Sequence, residues 1–140
     1  MGSELFNAMS ISASGMKAQG MRMRVISENL ANSETTTNSP NEDPYRRKTI
    51  SFKEQLDRAN GVDKVAVDRI DRDKSDFRLK YDPSHPAADS KGYVKLPNVN
   101  TLIETMDMRE AQRSYEANMG SIELSRNMMT KTIDMLRSNR

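Results

Sequence analysis

The fold is decided by residues 101–138, which read TLIETMDMREAQRSYEANMGSIELSRNMMTKTIDMLRS. Large side chains recur at every seventh position, at Met108, Tyr115, Ile122, Met129 and Leu136. Three positions after the first four of these stand small or polar residues, namely Ala111, Asn118, Ser125 and Thr132. A row of large residues beside a row of small ones at heptad spacing predicts a helix that packs against another helix.

The start of this helix is marked by Thr101 and Glu104, which have the spacing of a capping box, and by Pro97 just upstream. A helix from Thr101 to Ser138 would be roughly 55 Å long at about 1.5 Å per residue. A compact globule of this chain length has a diameter under about 40 Å. We therefore expect an elongated molecule whose helices need partners to bury their apolar sides.

The N-terminal segment, residues 1–32, repeats the pattern. Its large row is Met9, Met16, Met23 and Leu30. Four positions after the first three stand the small residues Ala13, Gly20 and Ser27. The pattern predicts a second packing helix, and an ordinary amphipathic helix with a kink near Gly20 is the alternative.

The middle segment, residues 33–100, contains all the prolines and several short runs of β-forming residues. Candidate strands are 45–52, 64–70, 77–81 and 92–96, and Asn60-Gly61 is a hairpin turn signal. Residues 101–140 are the second helical segment. Two helical segments around a β-rich middle segment predict an α+β chain. Its terminal helices form a coiled-coil-like hairpin, and its middle domain is small and β-rich.

Charge and composition argue against several functional classes. The 22 basic and 20 acidic residues nearly cancel, whereas capture of nucleic acid usually needs a clear basic excess. The chain has no cysteine, no glycine-rich phosphate loop and one histidine, His85, in a proline-framed turn. We expect no catalytic residue, no metal site, no cofactor and no small-molecule substrate.

Two alternatives stay open on the residues alone. Arg22, Arg24 and the run Arg46-Arg47-Lys48 suit a coiled coil that binds nucleic acid. An unrecognised hydrolase would have to be built around His85.

No segment is long and apolar enough to span a bilayer, and no cleavable secretory signal is visible at the N-terminus.

The end of the first helical segment, Asn29-Leu30-Ala31-Asn32, resembles the signature of the flagellar rod and hook axial proteins. Asparagine suits a helix end, since it can bond free backbone groups and tolerates a left-handed conformation. Further stretches are similar to the proximal-rod members of that family, at residues 43–48, 81–89, 92–100 and 113–118.

The resemblance implies a structural subunit of the proximal rod, the drive shaft of the bacterial flagellum, in the periplasm. It implies terminal helices that form the inner tube and a β-rich outer domain. The expected partners are copies of the chain, other proximal-rod proteins and the distal rod, with the export apparatus and the MS ring nearby. Export would follow the flagellar type III route without a cleaved signal. Another axial subunit of the same family is the alternative.

Overall fold

The computed structural model of the chain describes residues 2–138. Residues 1, 139 and 140, which belong to the predicted terminal segments, lie outside the described residues. The elements in chain order are α1 (Gly2–Ala31), β1 (Lys48–Asp57), β2 (Val62–Arg72), β3 (Arg78–Tyr81), β4 (Tyr93–Leu96) and α2 (Thr101–Ser138). Two terminal helices flanking a small sheet region confirm the predicted α+β class.

The start of α2 at Thr101 is confirmed, but its cap differs from the predicted one. Asn100 Oδ1 accepts hydrogen bonds from the backbone N–H of Leu102 at 3.1 Å and of Ile103 at 3.3 Å. Asn100 therefore satisfies two of the free donors at this helix end. Glu104 is completely buried and bonds elsewhere, so the capping-box prediction was wrong.

The end of α1 is closed by side chains. Asn32 donates from Nδ2 to the carbonyl of Glu28 at 2.8 Å, and the Ser33 hydroxyl donates to the carbonyl of Leu30 at 2.9 Å. Among the described residues only glycines have a positive φ, so no asparagine adopts the left-handed conformation here.

The strands form two two-stranded sheets, β1 with β2 and β3 with β4. The predicted Asn60-Gly61 turn joins β1 to β2, and Gly61 has a φ of 64°, which favours glycine. β3 and β4 are antiparallel, with Leu79 opposite Lys95 and Tyr81 opposite Tyr93. β1 begins at Lys48 rather than at residue 45, and the backbone N–H groups of Arg47 and Lys48 donate to the side chains of the buried Asn98 and Asn29 instead of to a neighbouring strand.

The chain divides into two compact units. The described part of the first unit comprises residues 2–23, 51–69 and 110–138, and the second comprises residues 24–50 and 70–109. The second unit has an apolar core of Val25, Ile26, Ala87, Val94, Leu96 and Val99. Neither helix holds, within residues 2–138, a stretch apolar and long enough for a bilayer crossing.

Candidate assembly surfaces and the polar cluster

The helices of the first unit contact each other through small side chains. A Cβ added to Gly15 would lie 2.7 Å from Nδ2 of Asn118, so glycine is what allows α1 and α2 to approach here. The buried positions of this unit are Ala18, Ala111 and Ser125, which are 2%, 0% and 7% exposed. Small side chains permit close backbone approach, and they bury little apolar surface of their own.

The predicted large rows are only partly covered within the chain. The half-buried members are Met9, Met16, Met23, Leu30, Met108, Tyr115, Ile122 and Met129. Leu136 is 68% exposed. These rows therefore keep part of their apolar area exposed.

The two small rows differ in their surroundings. Ala111 and Ser125 of α2 are buried inside the chain, and Asn118 between them meets Gly15. Ala13 and Ser27 of α1 are exposed. Gly20 has nothing within 4 Å of an added Cβ, so the close approach found at Gly15 does not occur there. Within the chain the small row of α2 is in contact with α1 or buried, whereas the small row of α1 is not covered.

A further apolar face of α2 lies outside the two rows that the heptad pattern predicts. In the first unit Leu124, Met128 and Met135 are 62%, 49% and 60% exposed. Their spacing of four and then seven residues places them on one side of the helix. This spacing is present in the sequence, but it is shorter and less regular than the heptad rows.

An apolar cleft of about 640 Å³ lies between the ends of the two helices in the first unit. Its lining residues are Gly2, Leu5, Phe6, Met129, Thr132, Ile133 and Leu136. Two predicted packing residues, Met129 and Leu136, thus line the same cleft as Leu5. Phe6 is 57% exposed at the same cleft, which is therefore open to solvent on an apolar side.

The second unit contains a buried polar cluster, which we define as Asn29, Tyr45, Arg47, Asn98 and Glu104. Asn29 is 1% exposed and makes four hydrogen bonds. Its Nδ2 donates to the carbonyl of Lys48 at 2.8 Å and to Oε2 of Glu104 at 3.2 Å. Its Oδ1 accepts from the Tyr45 hydroxyl and from the backbone N–H of Lys48, each at 2.8 Å. The amide uses both of its donors and both of its acceptor positions.

Arg47 supplies the charge that the buried Glu104 needs. Its Nε donates to Oε1 of Glu104, and its terminal nitrogens lie 3.8 Å from Asp73 and 3.7 Å from Asp107. A buried carboxylate is tolerated when it is paired and hydrogen-bonded, and here both Glu104 oxygens have donors.

Asn98 joins the loop before α2 to the start of β1. Its Oδ1 accepts from the backbone N–H of Arg47 at 2.8 Å. Its Nδ2 donates to the carbonyls of Asp73 at 3.1 Å and Ser75 at 3.2 Å. The family-like stretches at residues 29–32, 43–48 and 92–100 therefore meet in one hydrogen-bonded cluster.

The basic run Arg46-Arg47-Lys48 is engaged inside the second unit. The guanidinium of Arg46 lies 4.2 Å from the centre of the Phe77 ring, and Lys48 pairs with Glu28. The hydrogen bond from Lys48 lowers the pKa of Glu28 below its ordinary value. These cations thus serve internal contacts rather than forming an open basic patch.

Burial raises the pKa of the Tyr45 hydroxyl, and the negative charge of Glu28 adds to the effect. The hydroxyl donates to Oδ1 of Asn29. The neutral, donating form is therefore the one that the polar cluster uses.

His85 stabilises the turn in which it stands. Its Nδ1 accepts a hydrogen bond from the backbone N–H of Ala87 at 3.0 Å, and its Nε2 lies 3.2 Å from the Thr36 hydroxyl. Within residues 2–138 no group of three or more His, Cys, Asp or Glu side chains is arranged to hold a metal ion.

Comparison with known proteins bears on the whole chain. A family model described as "Flagellar basal body rod FlgEFG protein C-terminal" matches residues 90–135. "Flagellar basal-body rod protein FlgC" of Agrobacterium fabrum is 48% identical over 132 residues, covering 94% of this chain and 95% of that protein. The chain belongs to the FlgC family of flagellar basal-body rod proteins.

Other FlgC proteins are similar over almost their full length. That of Borreliella burgdorferi is 39% identical, covering 94% of this chain and 97% of its own length. That of Bacillus subtilis is 37% identical, covering 93% of this chain and 97% of its own length. The matched C-terminal region spans β4, Asn98 and Glu104 of the polar cluster, and α2 as far as Met135. Membership of the FlgC family places the chain in the flagellar basal body as a structural rod subunit.

Proposed function

We propose that this rod protein is a subunit of the proximal part of the rod and that it assembles through its terminal helices. In this proposal its neighbours are copies of itself, other proximal-rod proteins and the distal rod. The observation that carries the proposal is the large apolar area left uncovered on both helices of the first unit, at Phe6, Leu124, Met128, Met135 and Leu136. Apolar surface of this kind favours association, because burial releases roughly 25 cal/mol per Å².

The predicted packing rows have a defined part in this proposal. Met9, Met16 and Met23 on α1, with Tyr115, Ile122 and Met129 on α2, would complete their burial against helices of neighbouring subunits. Methionine suits such positions because its unbranched side chain adapts to neighbours of slightly different shape. Ala13, Gly20 and Ser27 would let a neighbouring helix approach α1 closely.

The polar cluster gives the second unit a rigid connection between the helix ends. Asn29 near the end of α1 and Glu104 in the first turn of α2 bond to each other and to the segment around Arg47. A fully satisfied buried network specifies one arrangement of its parts. We propose that this connection lets the second unit resist twisting when the rod transmits torque.

The proposal extends to location and export. The chain would function in the periplasmic rod, near the MS ring, after leaving the cytoplasm through the flagellar type III apparatus without cleavage of a signal. It assigns the chain no catalytic step, no cofactor, no small-molecule substrate and no nucleic-acid partner. The internal engagement of Arg46, Arg47 and Lys48 supports the last point.

The test replaces apolar residues by aspartate in a strain that lacks the native gene. Leu124→Asp, Met16→Asp and Ile122→Asp should each abolish swimming and rod completion while the chain is still secreted. Asn127→Asp is the matched control, because it adds the same charge at an exposed polar position three residues from Leu124. Normal basal bodies in electron micrographs of all three apolar variants would refute the proposal.

A direct assay separates the nucleic-acid alternative. Labelled DNA mixed with the purified chain at low salt should show no shift in mobility. A shift that weakens steeply as salt is added would instead support phosphate contacts.

A further inference from the structure

The methionines of the first unit are exposed to different degrees. On α2, Met119, Met128 and Met135 are 43%, 49% and 60% exposed, whereas Met129, the chain neighbour of Met128, is half-buried. The described methionines that α1 contributes to this unit are all half-buried. A reagent that attacks thioether sulfur from solvent should therefore reach three sites of α2 before the other methionines of this unit.

A peroxide oxidises a thioether in a single two-electron step. The sulfur lone pair attacks one oxygen, the O–O bond breaks, and the attacked oxygen passes its proton to the departing one, which leaves as water or an alcohol. The product is methionine sulfoxide, which a dithiol reduces again while the dithiol becomes a disulfide and the oxygen leaves as water. Because the chain has no cysteine, no thiolate of its own competes with the methionines for the oxidant.

Met128 and Met135 lie on one side of α2 together with Leu124. A sulfoxide is polar, so oxidation converts two apolar side chains of this surface into hydrogen-bond acceptors. Lys131 is exposed three positions after Met128 and four before Met135, where its ammonium can donate to either sulfoxide in the free chain. An apolar neighbour that covered this side would instead bury the sulfoxide oxygens without donors, which costs free energy.

We propose that Met128 and Met135 form a peroxide-sensitive modification site, and that their sulfoxides keep a free chain from entering the rod. The inference rests on the proposed function, in which this side of α2 is buried against a neighbouring subunit. An oxidised chain should stay folded, because the contact of α1 with α2 at Gly15 and Asn118 involves neither methionine. Assembly, in turn, should shield both thioethers from later oxidation.

The reactivity of each methionine tests the site itself. The purified chain is treated with less hydrogen peroxide than it has methionines, and tandem mass spectrometry reports the sulfoxide at every position. We expect Met128 to react several times faster than Met129, although the two are adjacent in the sequence, and the circular dichroism spectrum to stay unchanged. Equal rates at these two positions would overturn the assignment of the site, as would a loss of helix content upon oxidation.

The effect on assembly is tested with glutamine, which is polar and close to methionine in length. Met128→Gln combined with Met135→Gln, in a strain that lacks the native gene, should lower the number of completed rods several-fold. Met119→Gln is the matched control and should have a clearly smaller effect. Met119 is similarly exposed but lies on the opposite side of α2 from Met128, nine residues away at about 100° per residue.

The outcomes separate this inference from the proposed function. Normal rods in the double glutamine variant, beside defective rods in Leu124→Asp, would overturn the inference and leave the proposed function standing. An equal defect in Met119→Gln would also overturn it. Normal rods in Leu124→Asp, Met16→Asp and Ile122→Asp would instead refute the proposed function.

Leucine provides the complementary test, since it is apolar and has no sulfur. Cultures are exposed to sublethal hydrogen peroxide while rods assemble, and each strain is compared with its own untreated culture. The native chain and Met119→Leu should lose completed rods several-fold, whereas Met128→Leu combined with Met135→Leu should lose clearly fewer. The same fractional loss in all three strains would count against a site at these two methionines.

Discussion

Asn29 and Glu104 form a hydrogen bond of 3.2 Å between residues that lie 75 positions apart in the sequence. Asn29 is 1% exposed and Glu104 is completely buried. The bond joins the last turns of α1 to the first turn of α2, and the same two side chains also bind the segment from Tyr45 to Lys48. The motif that suggested a flagellar axial protein is therefore the centre of a buried connection as well as a helix end.

Replacing Asn29 by leucine should destabilise the second unit strongly. The variant leaves the backbone N–H of Lys48 and the hydroxyl of Tyr45 without their acceptor, and each buried unsatisfied group costs about 1–3 kcal/mol. We expect the free energy of unfolding to fall by about 2–4 kcal/mol, measured by urea unfolding followed by circular dichroism. Asn32→Ala is the control, since Asn32 makes a local bond to Glu28, and it should cost only about 1 kcal/mol. Equal losses would contradict the central place of Asn29.

The Arg47–Glu104 pair should behave as a coupled unit. Arg47→Met leaves a buried carboxylate without its cation and should cost about 3–5 kcal/mol. Arg47→Met combined with Glu104→Met should cost clearly less than the sum of the single variants, because no uncompensated charge remains. As a control, Arg24→Ala removes an exposed pair with Glu28 and should change the free energy of unfolding by under about 1 kcal/mol. Additive losses in the double variant would show that the two side chains do not interact.

The glycines of α1 should respond differently to alanine. Gly20→Ala should stabilise the isolated chain by about 0.5–1 kcal/mol, since the added methyl meets nothing and alanine is the better helix former. Gly15→Ala should gain less or lose stability, because its methyl would press on the Asn118 amide. Adding Asn118→Ala to Gly15→Ala should recover the missing stability. Thermal unfolding of the native chain, the two single glycine variants and the double variant measures these differences in stability. Identical shifts in melting temperature for Gly15→Ala and Gly20→Ala would disprove the close approach.

The hairpin of β1 and β2 should lose stability in acid through Asp57. Its hydrogen bond with Lys64, supported by Asn60, lowers the pKa of Asp57 from 3.8 to about 2. Because the folded state binds this proton less tightly, its contribution is complete above the unfolded pKa and disappears as the pH falls from about 4 through about 2. An NMR titration should show the low pKa in the native chain and a rise towards the ordinary value in Lys64→Gln.

The same effect should appear in unfolding experiments between pH 6 and pH 2. Asp57→Asn should flatten the decline of the free energy of unfolding at the acid end. Asp63→Asn, on the same hairpin and without an ion pair among residues 2–138, should leave the decline as it is in the native chain. If the free energy of unfolding of Asp57→Asn declined with pH as in the native chain, the Asp57 carboxylate would not contribute to stability.

The sequence by itself determined the kind and order of the elements, though not the strand bounds, because the signals for helices and turns are local. The heptad rows predicted α2 up to Ser138, and Asn60-Gly61 predicted the turn of the first hairpin. The start at Thr101 was predicted correctly from capping-box spacing and the upstream Pro97, although Asn100 is the residue that caps the helix. Helical periodicity and turn propensity act over a few residues, so they can be recognised without knowledge of the partner segments. The motif at residues 29–32 likewise led to the family.

The tertiary structure decided which side of each helix is covered and what the motif residues do. The small row of α2 turned inward at Ala111 and Ser125, and the large side chains of Leu124 and Met128 stayed outside. Glu104 looked like part of a helix cap and became the buried partner of Arg47 and Asn29. These outcomes depend on contacts between segments far apart in the chain, where close backbone approach and the pairing of buried charge compete with local preference.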